Sequence, residues 1–213
     1  MIRQLRACLV CMPILLAPMA PHAQESTPDA LVKGVTEDVL TVLREDKALQ
    51  AGDQRKAMTL IEEKIGPHFD FPRMTSLAVG QGWRQSTPEQ RDALTREFRT
   101  LLVRTYANAL TSYKNQTVSY KPAAPAREDG AAMVRTQINQ PGGQPIAVDY
   151  RLANNSGAWR VFDVSIDNVS LVTNYRGSFA TELSKGGPDG LIRTLQEKNR
   201  SATGDRPGKG GNA

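Results

Sequence analysis

In TPEQRDALTREFRTLLVRTYANALTSYK, residues 87–114, Thr87 stands just before Pro88 and three places before Gln90. That spacing marks a helix start closed by a capping box, with proline in the first helical position. Leu94, Phe98, Leu101, Leu102, Ala109, Leu110 and Tyr113 follow as one apolar stripe at three- and four-residue spacing. At about 1.5 Å per residue, such a helix spans a whole domain. After Lys114 the apolar period drops to two. Val118 and Tyr120, then Val134, Thr136 and Ile138, then Ile146, Val148, Tyr150 and Leu152, then Phe162, Val164 and Ile166 alternate with polar neighbours such as Asp149, Arg151, Asp163 and Ser165. Four antiparallel strands are expected, joined at Arg127-Glu128-Asp129-Gly130, Gln140-Pro141-Gly142-Gly143 and Asn154-Asn155-Ser156-Gly157. The fold class is α+β.

Working outward, Leu31, Val35, Val39, Val42 and Leu43 predict an amphipathic helix beginning at Pro28. A second helix is expected from Asp53 to Ile65, with Met58, Ile61 and Ile65 inward. A third starts at Phe69-Asp70-Phe71-Pro72 and stops at Gly80-Gln81-Gly82. Beyond the strands, Tyr175 to Leu183 and Leu191 to Leu195 read as helices separated by Lys185-Gly186-Gly187-Pro188. Residues 200–213, rich in glycine, read as a disordered tail.

Of the 213 residues, 39% are hydrophobic and 23% charged, values of a folded globular chain. Met1 to Arg6 carries two arginines and no acid, and is followed by an apolar run to Ala17 and small residues to Ala23. This is the pattern of an export signal, with residues 1–23 removed by cleavage after Ala23 or, failing that, after Ala20. The apolar run is short of the roughly 20 residues that a membrane span needs. Cys8 and Cys11 leave with it, so the exported chain has no disulfide and no thiol chemistry. The formal charge of +5 falls to +3 with the loss of Arg3 and Arg6, and basic and acidic residues interleave, as in Arg91-Asp92. That is a solvated surface, not a nucleic-acid track.

Little here is equipped for catalysis. His68 is the one histidine of the exported chain, and beside Pro67 it reads as a surface or capping residue. Zinc-binding spacing is absent, so no metal is expected. Gly186-Gly187-Pro188-Asp189-Gly190 lacks the Lys-Ser or Lys-Thr of a phosphate loop and reads as a helix stop and restart. Asp163 and Asp167 are expected to face solvent. What remains is apolar area on the long helix and on one face of the strands, and periodicity does not tell a filled core from a cavity.

The series Phe69-Asp70-Phe71, Met74, Gly80, Trp83-Arg84, Thr87, Gln90, Phe98, Leu101-Leu102 and Thr105-Tyr106-Ala107 resembles the MlaC, or toluene-tolerance, family of periplasmic phospholipid carriers. Trp159, Val161-Phe162-Asp163-Val164, Val169-Ser170-Leu171-Val172, Asn174-Tyr175-Arg176, Phe179, Gly187 and Gly190-Leu191 continue it, over about residues 28–199. Asp167-Asn168 departs from the Glu-Gly of many relatives, and the tail runs past the family's usual end. The resemblance implies a nuclear-transport-factor-2-like cone: a four-stranded antiparallel sheet wrapped by about six helices around an apolar cavity, all within a carrier domain at residues 24–199. It implies a non-enzyme with phospholipid as ligand and no other cofactor. Its partners would be the inner-membrane Mla transporter, which is ATP-driven, and the outer-membrane Mla lipoprotein complex. The acyl chains would lie against Met74, Leu77, Phe98, Leu101, Leu102, Tyr106, Leu110, Val148, Tyr150, Phe162, Val164, Tyr175 and Phe179, with Arg84 and Arg176 at the rim or docking surface. Two competing readings remain: an acid-base enzyme of the same fold using Asp163 and a tyrosine, and a folding factor with an open hydrophobic groove.

Overall fold

The computed structural model describes residues 27–122, 130–155 and 157–201. The expected export signal, residues 127–129 of an expected turn, Ser156 of another and the expected tail from 202 onward lie outside the described residues. Helix α1 (Pro28–Glu45) starts where the Thr27 hydroxyl accepts from the Ala30 amide. A short α2 (Lys47–Gln50), not foreseen, is capped by Asp46. The helix expected to reach Ile65 is α-helical only in α3 (Gln54–Leu60), continuing as a π turn (Ile61–Ile65) and a 3-10 turn (Gly66–His68). Asp70 caps α4 (Phe71–Val79). Gly80, at φ +63°, breaks the chain there, but Gly82 does not: it lies inside a further helix, α5 (Gln81–Gln85). Leu183 Cδ atoms sit 2.8 and 2.9 Å from where a Cβ of residue 82 would be, so this glycine serves close approach rather than a stop. The capping box opens α6 (Pro88–Thr111), with Thr87 and Gln90 exchanging bonds of 3.2 and 3.0 Å.

Strands β1 (Thr117–Tyr120), β2 (Ala132–Asn139), β3 (Ile146–Asn155), β4 (Ala158–Ile166) and β5 (Val169–Ser170) form one antiparallel sheet in sequence order. The fifth strand, absent from the four-strand expectation, is two residues long and too short to leave a periodic signal. Asp167 and Asn168, at φ +47° and +67°, make the tight turn that returns it to β4. Asn tolerates this backbone better than most side chains.

Helix α7 (Leu171–Ser201) begins four residues earlier than Tyr175 and includes Arg200 and Ser201. Its first residues, Leu171 and Val172, are both buried, and so give no amphipathic signal. Gly186 and Gly187 are non-helical, Gly187 at φ +61°, and bend the helix at the expected breaker.

A register shift in the β3/β4 ladder pairs Arg151 with Asp163 but Leu152 with Val161, leaving Phe162 as an extra residue. Strict alternation puts Phe162 beside Val164 and Ile166; the bulge separates them. Val161 and Val164 join Val32, Val134, Val148, Leu152 and Leu171 on one face. Phe162 instead joins Met74, Leu94, Phe98, Phe179, Leu191 and Leu195 in the layer of α4, α6 and α7. A third cluster holds α1, α2, α3 and α6 together through Leu43, Leu49, Leu60, Ile61 and Val103.

Asp163 does lie on the face opposite Val164, but the start of α7 covers that face, which corrects the expectation that it meets solvent. It is 3% exposed, and its carboxylate accepts from Ser170 Oγ at 2.7 Å and from the Val172 amide at 3.2 Å. It anchors the start of α7 to β4, which explains a buried carboxylate without catalysis. Asp167 remains exposed at the turn, as expected, and accepts from the Ala147 amide at 3.0 Å.

Replacing Asp163 by Ala leaves a half-buried hydroxyl and a buried amide without their acceptor. A loss of about 2–3 kcal/mol in urea unfolding is expected. Gly34, by contrast, sits mid-helix in α1 with nothing within 4 Å of a built Cβ. Gly34→Ala should stabilise by about 0.5–1 kcal/mol, read as a higher midpoint in the same titration.

Candidate functional site

Helix α1 does not lie flush on the sheet. Leu31 and Val32 near its start meet the sheet face, and Val39 and Leu43 near its end meet α3 and α6. Between these two anchorages a cavity of about 460 Å³ is left open. Its roof is α1, through Leu31, Val32, Val35, Thr36, Val39, Leu40 and Leu43. The floor is the sheet face that carries Val118, Thr136, Ile138, Ile146, Tyr150 and Val161. One side wall is Ile65, His68 and Phe69, and the end of α6 supplies Ala109, Leu110, Ser112 and Tyr113. Phe69 is held there by a bridge to Val161 and by the neighbouring Asp70 amide, which donates to the Val161 carbonyl at 2.8 Å.

None of these lining residues is Lys, Arg, Asp or Glu. Thr36, His68, Thr136 and Tyr150 stand among the apolar walls, and a further polar group gathers at one end, where Ser112, Tyr113 and Gln116 follow α6 and Gln140 follows β2. The pairing of Thr117 with Asn139 sets Gln116 beside Gln140. Burial pushes the Tyr150 phenol up to about 12, reinforced by Tyr120 nearby and opposed by a hydrogen bond with Thr136. Burial likewise holds His68 below its usual range, helped by the Arg160 guanidinium and opposed by Asp38. Both groups are therefore neutral near pH 7, and the walls carry no charge. A neutral, mostly apolar chamber holds hydrocarbon well. Among the described residues there is no group of three or more His, Cys, Asp or Glu that could hold a metal, and no helix long and apolar enough to cross a membrane.

The residues expected to line a cavity divide sharply. Leu110 and Tyr150 do so. Val148 and Val164 lie on the same face of the sheet, buried in its cluster. Met74, Phe98, Leu102, Phe162 and Phe179 are buried in the helical layer, with Leu77, Leu101 and Tyr175 packed against it. The Phe98 ring meets Tyr175 and Phe179 edge-on at 5.0 and 5.1 Å, and the Arg73 guanidinium lies 3.9 Å over Phe162. Tyr106 bridges the helical layer and the sheet cluster, its phenol raised by burial and then by Tyr175. Arg84 is exposed on α5, and Arg176 donates twice to the Leu77 carbonyl, at 3.0 and 2.8 Å. Neither arginine lines the cavity.

His68, expected at the surface or as a cap, is instead part of the wall. The larger omission is the roof. Its stripe is visible in the sequence from Leu31 to Leu43, but an amphipathic stripe looks the same whether it meets side chains or a void.

The sequence pattern of the MlaC protein family matches residues 33–197. The toluene tolerance protein Ttg2D of Pseudomonas putida is 28% identical over 170 residues, covering 79% of this chain and 78% of its own. The intermembrane phospholipid transport system binding protein MlaC of Haemophilus influenzae is 24% identical over 176 residues, covering 81% and 82%. The solved structure of a phospholipid-binding protein from Ralstonia solanacearum, in complex with a phospholipid, superposes with a TM-score of 0.77 at 40% identity, covering 82% of this chain and 98% of that one. With an antiparallel sheet under a helical roof, an uncharged apolar cavity and a family match over most of its length, this chain belongs to the MlaC protein family.

Proposed function

We propose that this protein is a phospholipid carrier: it takes acyl chains into the cavity beneath α1, keeps the head group at the polar end, and releases the lipid unchanged. The observation that carries this reading is the chamber itself, about 460 Å³ walled by neutral and mostly apolar side chains. Two acyl chains of about 15 methylenes each, at about 0.8 kcal/mol per buried group, cost on the order of 20 kcal/mol to expose to water. Lipid therefore crosses an aqueous gap only if something replaces that exposure. Apolar contact is non-directional, so it accepts chains of different length and leaves no buried polar group unmet when the cargo departs. The names of the relatives and the phospholipid held by the solved neighbour support the same reading.

The finer parts of the proposal follow from family membership and from the N-terminal sequence. The chain would be exported to the periplasm with its signal removed, and would shuttle lipid between an inner-membrane transporter complex and an outer-membrane lipoprotein complex. Arg84 and Arg176, exposed on the side of α4, α5 and α7, would serve docking rather than the cavity rim. No enzymatic role is proposed. The carboxylate an acid-base enzyme would have used, Asp163, is occupied by Ser170 and Val172 and lines no part of the cavity. The walls on several sides also differ from the open groove that a binder of unfolded chains would present.

Protein purified without detergent, extracted with organic solvent and examined by mass spectrometry, should yield diacyl phospholipid in near-stoichiometric amount. Ile138→Trp fills the chamber from the floor and should reduce bound lipid about tenfold, equivalent to losing the contact of two methylenes. Phe98→Leu, in the packed layer, should lower stability with far less effect on lipid content. Empty wild-type protein that also takes up nothing from vesicles would sink the carrier reading.

A further inference from the structure

The two side-chain amides that line the cavity, Gln116 and Gln140, stand at one end with Ser112 and Tyr113, and a cation stands at that end without lining it. Arg44, exposed in the last turn of α1, directly follows the roof residue Leu43, and its Nε–H donates to the Tyr113 hydroxyl at 3.2 Å. Tyr113 is a lining residue, as are Ser112, Gln116 and Gln140 around it. The bond to Tyr113 uses one of the five guanidinium N–H donors and fixes the direction of the fork. Among the described residues no carboxylate lies within ion-pair distance of Arg44, whereas the nearby Asp46 is already paired with Lys56 at 2.8 Å. A pre-positioned guanidinium with two free amino groups, at the wet end of a neutral apolar chamber, matches the geometry of a phosphodiester.

We propose that Arg44, oriented by Tyr113, is the seat of the phosphodiester of the bound lipid, so that the protein selects phospholipids over uncharged lipids with the same acyl chains. This rests on the carrier reading: the tails supply the bulk of the affinity and Arg44 supplies a discrimination that the cavity walls, lacking charge, do not provide. The site is exposed, so its contribution is modest and screened by salt. Tyr113 acts here as a positioning residue, since it reaches the phosphate only through Arg44.

The test follows transfer of pyrene-labelled lipid from phosphatidylcholine vesicles to the full exported chain, with phosphatidylglycerol and diacylglycerol of identical acyl chains as alternative cargoes. Wild-type protein should prefer phosphatidylglycerol. Arg44→Gln should weaken its binding about three- to tenfold and leave diacylglycerol unchanged. Arg44→Lys should recover part of the loss, and Tyr113→Phe should give a smaller loss that also spares diacylglycerol. The wild-type preference should shrink as salt is raised, and that of Arg44→Gln should not. Equal phosphatidylglycerol binding by wild type and Arg44→Gln, with both still accepting lipid, would overturn the assignment of Arg44 and leave the carrier reading standing. Failure of wild type to accept either lipid would remove the carrier reading itself. Unchanged thermal unfolding of the exposed Arg44 variants separates a binding effect from a folding one.

Discussion

A space of about 460 Å³ inside a small domain forfeits van der Waals contact along every wall that faces it. The fold tolerates this because α1 is held at both ends by packed clusters, which border the void but are buried on their other sides. Val32 belongs to the sheet cluster, and Val39 and Leu43 to the cluster of α2, α3 and α6. A helix fixed only at its ends can stand off the sheet in the middle. The layer of α4, α6 and α7 lies on the other side of β4 through Phe162, and it is filled. Stability and cargo space are thereby assigned to different parts of the molecule.

That division depends on the bulge at Phe162. Because one residue is inserted into β4 opposite Arg151 and Leu152, both faces of this strand become apolar over a short stretch. Val161 and Val164 serve the face that floors the cavity, and Phe162 serves the helices behind it. Asp163 lies on the face opposite Val164, which the start of α7 covers, and fastens that helix there. A strand with one apolar face would have supported either a cavity or a helical layer, and here it supports both.

The neutrality of the walls bears on turnover. A cargo held by buried ion pairs or hydrogen bonds would leave unmet polar groups on departure, and these would slow its release. Tyr150 and His68 are the titratable groups of the floor and side wall, and burial disfavours the charged form of each. With the proposed role of Arg44, recognition of charge falls to the rim, where water and salt keep it weak. Affinity from the tails and selectivity at the edge would suit the proposed carrier, which both captures and hands over.

The α+β class, the meander, the capping box at Thr87, the breaker at Gly186-Gly187 and the family were all legible in the sequence, because each rests on local spacing or on an ordered series of residue types. The stripe on α6 was equally legible, and Phe98, Leu102 and Phe162 were rightly seen as apolar and inward. Which apolar surfaces meet each other and which face a void was decided by the tertiary structure alone. Periodicity reports that a side chain turns away from water; it carries no information about whether an atom waits on the far side. The stand-off of α1, the bulge that divides Phe162 from Val164, and the convergence of Tyr113, Gln116 and Gln140 beside Arg44 each arise from contacts between distant segments, and no window of sequence contains them.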